Sequence, residues 1–257
     1  MKQPESRSGA FDPAHFSRLF ALEAGSFWFR GRSDLIEWAL RRYFPGTRDF
    51  LEIGCGTGYV LDRLHRSFPD LSLTGTELFA EGLSYARERL GDSANLSTLD
   101  ATQLRFREEF DVVGAFDVLE HIQDDDAVLA NILAALRPGG GLLLTVPQHE
   151  WLWSETDVAA HHVRRYTQGG LRQRLLVAGF EILRVTSFMT LLLPAMWLAR
   201  RRRRDGMQEV EAELALPAPV NAIGRAALGF DSAMIRAGIN LPVGGSLLAI
   251  ARRPRTA

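Results

Sequence analysis

An α/β fold wound around a mostly parallel sheet is predicted by three features of the sequence. Short β-rich apolar runs alternate with stretches whose apolar residues recur three and four apart. A glycine-rich turn joins the first such run to the first helical stretch, and an acid stands at or near the end of each of the first three runs. This alternation argues for strand–helix–strand units rather than a sandwich. At 257 residues the chain fits one large α/β domain. The expected division is a single domain over 1–257: an N-terminal helical lid over 1–47, the core over 48–188, a helical insertion over 189–241, and a last strand and tail over 242–257.

Residues up to Phe44 read as helices packed onto the sheet. Strands are read at 50–54 (FLEIG), 71–78 (LSLTGTEL), 96–100 (LSTLD), 110–116 (FDVVGAF) and 141–147 (GLLLTVP). The intervening helices are placed at 59–67, 80–90 and 125–136. After a long loop, Thr167 reads as the cap of a helix running through Ala178, with Gly179 as its stop. Residues 180–188 read as a sixth strand and 246–251 as a seventh. Between them 205–241 reads as helical or irregular, with Pro217 and Pro219 as breakers.

Residues 188–199 (FMTLLLPAMWLA) are apolar and are followed by five arginines, Arg200 to Arg204. The run is too short to cross a bilayer, which takes roughly 20 helical residues. It reads either as a buried helix ending in a solvated basic turn or as a helix lying in a membrane interface with its arginines among headgroups.

Charge and cysteine usage narrow the class. Thirty Lys+Arg against 31 Asp+Glu leave a formal net charge of -1, so no domain-wide basic field exists to hold a phosphate backbone and no nucleic-acid partner is expected. The single cysteine, Cys55, makes no internal disulfide and no multi-cysteine zinc site, which fits a reducing compartment. The first residues, with Glu5, Arg7, Asp12 and His15, contain no apolar leader run. The expected location is the cytoplasm, with peripheral contact at the inner face of the membrane if 188–204 is interfacial.

The most informative residues are LEIGCGTG at 51–58. Gly54, Gly56 and Gly58 are spaced G-x-G-x-G, so the backbone can turn sharply and present bare N–H groups to a ligand. A dinucleotide fingerprint would be G-x-G-x-x-G with a pyrophosphate on the helix N-terminus. Here the third glycine comes one residue early and Glu52 precedes the first. That acid would repel a pyrophosphate but suits an ammonium or sulfonium charge, which disfavours a nicotinamide oxidoreductase. Glu77 closes the second strand, where a carboxylate can accept both hydroxyls of a ribose. Asp100 ends the third, where its carboxylate and the Ala101 amide could read an adenine edge. Strand-end acids are often only solvated loop residues; the weight lies in three of them together with the glycine loop.

On these residues the sequence resembles the class I S-adenosylmethionine-dependent methyltransferases, over about 27–190 and again at the last strand. LEIGCGTG looks like their first motif, TGTEL their ribose acid, LDAT their adenine contact, FDVVGAFDVLEHI their fourth-strand motif and LRPGGGLLLTVP their fifth. The resemblance implies a Rossmann-like, doubly wound sheet of seven strands in the order 3-2-1-4-5-7-6 with strand seven antiparallel, and S-adenosyl-L-methionine as cofactor. It also implies Glu52 near the methionine amino group, Gly54, Gly56 and Gly58 under the cofactor, Glu77 and Leu78 at the ribose, and Asp100 and Ala101 at the adenine. Phe116 and Asp117 would start the loop below the sulfonium.

Closer resemblance is to the ubiquinone-type small-molecule enzymes and to bacterial relatives carrying FWFRGR (27–32) and HVRRY (162–166). Arg30 or Arg32 is expected to pair the cofactor's carboxylate; the alternative is that these aromatics staple the N-terminal helix to the core. The Asn-Pro-Pro-Tyr type signature of amino-directed nucleic-acid methyltransferases is replaced by AFDVLEH, which disfavours DNA amine methylation.

The acceptor is expected beyond the carboxyl ends of the strands, at a loop over 148–166 too long for a minimal connection. Methyl displacement from a sulfonium needs alignment and often a base, and histidine has a suitable free pKa. His149 and His162 are the candidates, with backbone anchoring as the alternative for each. Trp153, Arg165 and Tyr166 are the expected acceptor contacts, one of Arg164 and Arg165 gripping an anionic group while the other pairs inside. No metal is expected, because magnesium prefers an oxygen-rich set and only Asp157, Glu150 and Glu155 are near the histidines. His121 is expected to pack in the cofactor loop, and Cys55 to have no redox role. The expected activity is methyl transfer to a small-molecule or lipid-linked acceptor, at oxygen. Nitrogen or carbon transfer on the same fold, or a cofactor-binding partner protein without transfer activity, are the alternatives. A dimer contact is the other use foreseen for 188–204.

Overall fold

The structure is a computed structural model and describes residues 15–201 and 216–255. Helix α1 (His15–Leu22) leads through a short turn into α2 (Phe27–Tyr43), whose start is fixed by the Ser26 side chain accepting from the Trp28 amide. Then come β1 (Asp49–Ile53), α3 (Tyr59–Ser67), β2 (Ser72–Glu77), α4 (Ala80–Leu90), β3 (Asn95–Thr98) and β4 (Phe110–Phe116). They are followed by α5 (Asp125–Ala135), β5 (Leu136–Pro147), the short α6 (Glu155–Ala159), α7 (Gln168–Val177) and β6 (Glu181–Phe188). Helix α8 (Leu193–Arg201) and a long helix α9 (Ala218–Arg236) precede β7 (Ser246–Arg252).

The seven strands form one sheet in the order β3-β2-β1-β4-β5-β7-β6. The first five are parallel, and β7 runs antiparallel to both β5 and β6. Order and orientation are those implied by the resemblance. Period-two alternation sends successive side chains to opposite faces. Phe50, Val112, Leu143, Leu248 and Ile250 join Leu35, Ile36, Leu64, Leu228 and Ile235 of α2, α3 and α9 on one side. Leu51, Ile53, Val113, Leu142, Leu144 and Ala249 join Leu129, Ile132, Leu171 and Leu175 of α5 and α7 on the other. Both faces are covered, as a parallel sheet requires.

Three expectations change in detail. Strand β5 starts at Leu136, because the chain stays paired through a glycine turn: Gly139 N donates to Arg253 O at 3.0 Å and Arg253 N to Gly140 O at 2.8 Å. Pro217 and Pro219 do not break a helix; they begin one, with Pro217 at the cap of α9 and Pro219 in its first turn, where a missing N–H costs nothing. Helix α8 is not buried: its Trp197 and Leu198 are exposed, as is Leu191 before it, while Phe188 and Met189 at the start of the segment are buried. Arg202 to Arg204 lie outside the described residues. Among the described residues no helix is long and apolar enough to cross a membrane.

Candidate active site

The glycine loop between β1 and α3 runs through three left-handed residues, Gly54 (φ 65°), Gly56 (φ 52°) and Gly58 (φ 76°). At Gly54 a side chain is excluded twice: by this φ, and by Val118, whose Cγ2 would stand 2.6 Å from a Cβ. Glu77, the last residue of β2, reaches across to this loop. One carboxylate oxygen accepts from the Gly56 amide at 2.9 Å, and the other from the amides of Leu78 (2.8 Å) and Phe79 (3.2 Å). Burial raises its pKa while those three amides oppose the rise. Leu78 itself is exposed beside it. Asp100 caps the turn after β3, accepting from Thr102 N and Oγ1 at 2.9 and 2.7 Å, and the buried Ala101 accepts from Asn131 at 3.2 Å.

Glu52 on β1 is buried and its Oε2 has no hydrogen-bond partner among the described residues. Burial pushes its carboxyl well above the usual range, with the Arg32 charge opposing. Arg32 is the arginine of FWFRGR that meets the strand ends: it pairs with Asp117 and lies over the Trp28 ring at 4.2 Å. Arg30 does not join it. Two residues earlier on α2, and so about 200° round the helix, Arg30 is exposed and gives Nε to Ala24 O at 2.6 Å. Phe116 is also displaced from its expected place, its ring packing back into the core over Gly114; the loop after β4 begins at Asp117, whose φ is 57°.

One contributor escaped the sequence reading. Glu23, in the turn after α1, is buried, accepts from Thr57 Oγ1 at 2.8 Å and pairs with Arg89 at 2.6 Å. These contacts fasten α1 across the glycine loop, with Phe16 against Phe79 and Gly82. The partners lie 34 and 66 positions away in sequence, so no local pattern announces them.

The loop after β5 begins with His149, whose φ of 65° is strained for a residue with a side chain. Its ring stacks on Trp151 with centroids 4.9 Å apart, and its Nε2 is buried with no hydrogen-bond partner among the described residues. Burial and the nearby Arg165 charge hold its pKa below the usual value, so it is neutral at neutral pH. His162 places Nδ1 2.8 Å from Asp157 Oδ1. Asp157 is fully buried and also accepts from Arg165 at 2.8 Å, Arg200 at 3.1 Å and the Ser154 amide at 2.9 Å. These partners pull its pKa down to about 2 against the cost of burial.

Two of the three expected acceptor contacts have another task. Arg165 is buried and bound to Asp157 and to the Gln148 carbonyl, and its neighbour Arg164 pairs with Asp125 at 2.5 Å, so both arginines are engaged inside. Tyr166 is buried in the core and donates to Asp125 at 2.8 Å. Trp153 is exposed, as is Trp151. Among the described residues, metal-ligand proximity falls on Glu120, His121 and His162, whose ligand atoms lie within 4.8 Å of one another; of these only His162 belongs to the loop considered from sequence. Burial holds His121 at about 3, and its ring meets His162 edge-on at 4.7 Å.

Four buried polar atoms without hydrogen-bond partners among the described residues lie at the carboxyl ends of adjacent strands: Glu52 Oε2 on β1, Glu120 Oε2 after β4, and Gln148 Oε1 and His149 Nε2 after β5. Folded chains leave few such atoms. Beside a glycine cradle, and with Asp117 adding a third acid, this set fits a ligand that carries cationic and polar groups, as S-adenosylmethionine does.

The fold and the glycine loop resemble those of class I S-adenosylmethionine-dependent methyltransferases, and residues 51–142 match the methyltransferase domain family. The chain is 29% identical over 172 residues to a probable S-adenosylmethionine-dependent methyltransferase of Mycolicibacterium smegmatis, covering 63% of this chain and 62% of that one. It is 29% identical over 127 residues to a ubiquinone biosynthesis O-methyltransferase of Rhodopseudomonas palustris, covering 48% and 49%. The chain therefore spans less than two thirds of either relative. Among solved structures, an S-adenosylmethionine-dependent methyltransferase from Mesorhizobium loti superposes with a TM-score of 0.59 at 18% identity, covering 90% of this chain and all of that one.

Proposed function

We propose that this chain transfers the methyl group of S-adenosylmethionine to a hydroxyl oxygen of an apolar small-molecule or lipid-linked acceptor. The observation that carries this reading is the row of unpartnered polar atoms at the ends of β1, β4 and β5 beside the glycine loop. When bound, the cofactor supplies an electrophilic methyl on a sulfonium. Glu52 pairs the methionine ammonium, Glu77 accepts a ribose hydroxyl at the one acceptor site that its three amide contacts leave, and Asp100 with the Ala101 amide reads the adenine beside Leu78. His149, neutral and with Nε2 uncommitted, takes the acceptor's proton. His162 is held by Asp157 as a positioning residue for the loop.

Apolar character in the acceptor is supported by Trp151, Trp153, Leu191, Trp197 and Leu198, all exposed. Arg200 ties α8 to the acceptor loop through the Leu152 carbonyl at 2.7 Å. The test is incubation with methyl-labelled S-adenosylmethionine and extracts split into aqueous and lipid fractions. Label is expected in a methyl ether or ester in the lipid fraction. Label in the aqueous fraction alone would move the acceptor to a soluble molecule, and label in neither, with the cofactor bound, would leave a binding protein without transfer activity.

A further inference from the structure

A cleft of about 490 Å3 opens between α2 and α9, on the side of α2 that carries Arg30 rather than Arg32. Its floor is apolar, made by Phe27 and Leu228, where the helices close tightly: a Cβ on Gly224 would stand 2.7 Å from the Phe27 ring. Its rim carries four arginines, Arg30, Arg63, Arg225 and Arg236, against the single carboxylate of Asp34. Arg63 is engaged by Asp34 at 2.6 Å and by Glu37 at 2.7 Å. The other three have no carboxylate partner among the described residues; Arg30 donates to the Ala24 carbonyl and Arg236 to the Asp34 carbonyl at 3.2 Å. Three like charges around one opening repel one another, and an anion between them removes that repulsion. Guanidinium forks match phosphate oxygens in a bidentate way.

We propose that the cleft between α2 and α9 is a binding site for an organic phosphomonoester, the phosphate held among Arg30, Arg225 and Arg236. The site is separate from the glycine loop and does not depend on methyl transfer. The chemistry is shared by a soluble organic phosphate and by the headgroup of phosphatidic acid.

Phenyl phosphate is the soluble probe, titrated calorimetrically into the full chain. Saturable binding is expected, stronger at pH 8 than at pH 5.5 because the phosphomonoester gains its second charge near pH 6, and unchanged by saturating S-adenosylhomocysteine. The double variant Arg225→Gln/Arg236→Gln should weaken it at least tenfold while keeping the melting temperature of the unliganded protein. Benzyl alcohol, with the ring and no phosphate, should not bind. In the second arm, flotation with phosphatidylcholine vesicles with and without phosphatidic acid reads the lipid source. Binding in either arm that the double variant removes supports the site and names its source. No binding in both arms, binding insensitive to the double variant, or displacement by S-adenosylhomocysteine overturns it.

Discussion

The proposed cofactor end and the proposed acceptor end of the site are held by different means. At the cofactor end the determining contacts are short in sequence or made by backbone: Glu77 is oriented by the amides of Leu78, Phe79 and Gly56, and Asp100 by Thr102. At the proposed acceptor end they are side-chain ion pairs and hydrogen bonds over separations of five to 49 positions: Asp157 collects His162, Arg165 and Arg200, and Asp125 collects Arg164, Arg174 and Tyr166. A backbone-built site tolerates changes around it as long as the turn survives. A site built from a few buried ions depends on every member, because a charge left alone in the interior costs several kcal/mol.

The contrast can be broken at its extremes. The largest effect is expected at His149: His149→Ala should lower kcat by roughly 10²–10⁴ with cofactor affinity intact, as loss of a general base does. Single-turnover kinetics beside a binding titration would read the two apart, and a rate within threefold of wild type would remove His149 as the base. Next is Asp157→Asn, which leaves the buried Arg165 and the partly buried Arg200 without this anion and should destabilise the fold by about 3–5 kcal/mol. Urea denaturation measures this, and a loss below about 1 kcal/mol would make the acceptor loop no more ion-dependent than the cofactor end. At that other end, Glu77→Ala should cost about 1.5–3 kcal/mol of cofactor binding, tenfold or more in Kd, with little loss of stability. Calorimetry with S-adenosylhomocysteine reads it, and unchanged affinity in a folded variant would remove the ribose role.

The smallest effect is on pH dependence. Asp157 has a folded-state pKa of about 2 against about 3.9 in an unfolded chain. Its contribution to stability is therefore complete above the unfolded value and is lost as pH falls from about 4 to about 2, an amount on the order of 2 kcal/mol. Acid unfolding of the wild type should be steeper over that window than that of Asp157→Asn, and identical slopes would show that the buried ion network does not control acid stability.

The same contrast explains what the sequence made legible. Residues 51–58, the acids at 52, 77 and 100, and the strand alternation are local signals, and the structure places them together at one sheet edge. The periodicity of α2 was equally available, yet it took the structure to show that Arg32 and not Arg30 meets Asp117, since both lie in one motif and only the helix's neighbours decide which face is inward. Arg165 and Tyr166 look like acceptor contacts because they are polar residues in a furnished loop. They are instead the loop's anchors, with Asp157 eight positions away and Asp125 41 positions away. Glu23 was invisible for the same reason, its partners being Thr57 and Arg89.

The placement of β7 bears on how the chain is made. β6 has one neighbour in the sheet, and that neighbour is β7, which is synthesised after the whole α8–α9 segment. On a translating ribosome the strands β1 to β5 can assemble in order, while 181–188, with Val185 and Phe188 destined for the interior, must wait with both edges open. An unpaired strand of that kind is a template for pairing with another chain. A nascent chain halted within α8 or α9 would therefore hold a finished glycine loop beside a half-built sheet whose β6 is still unpaired.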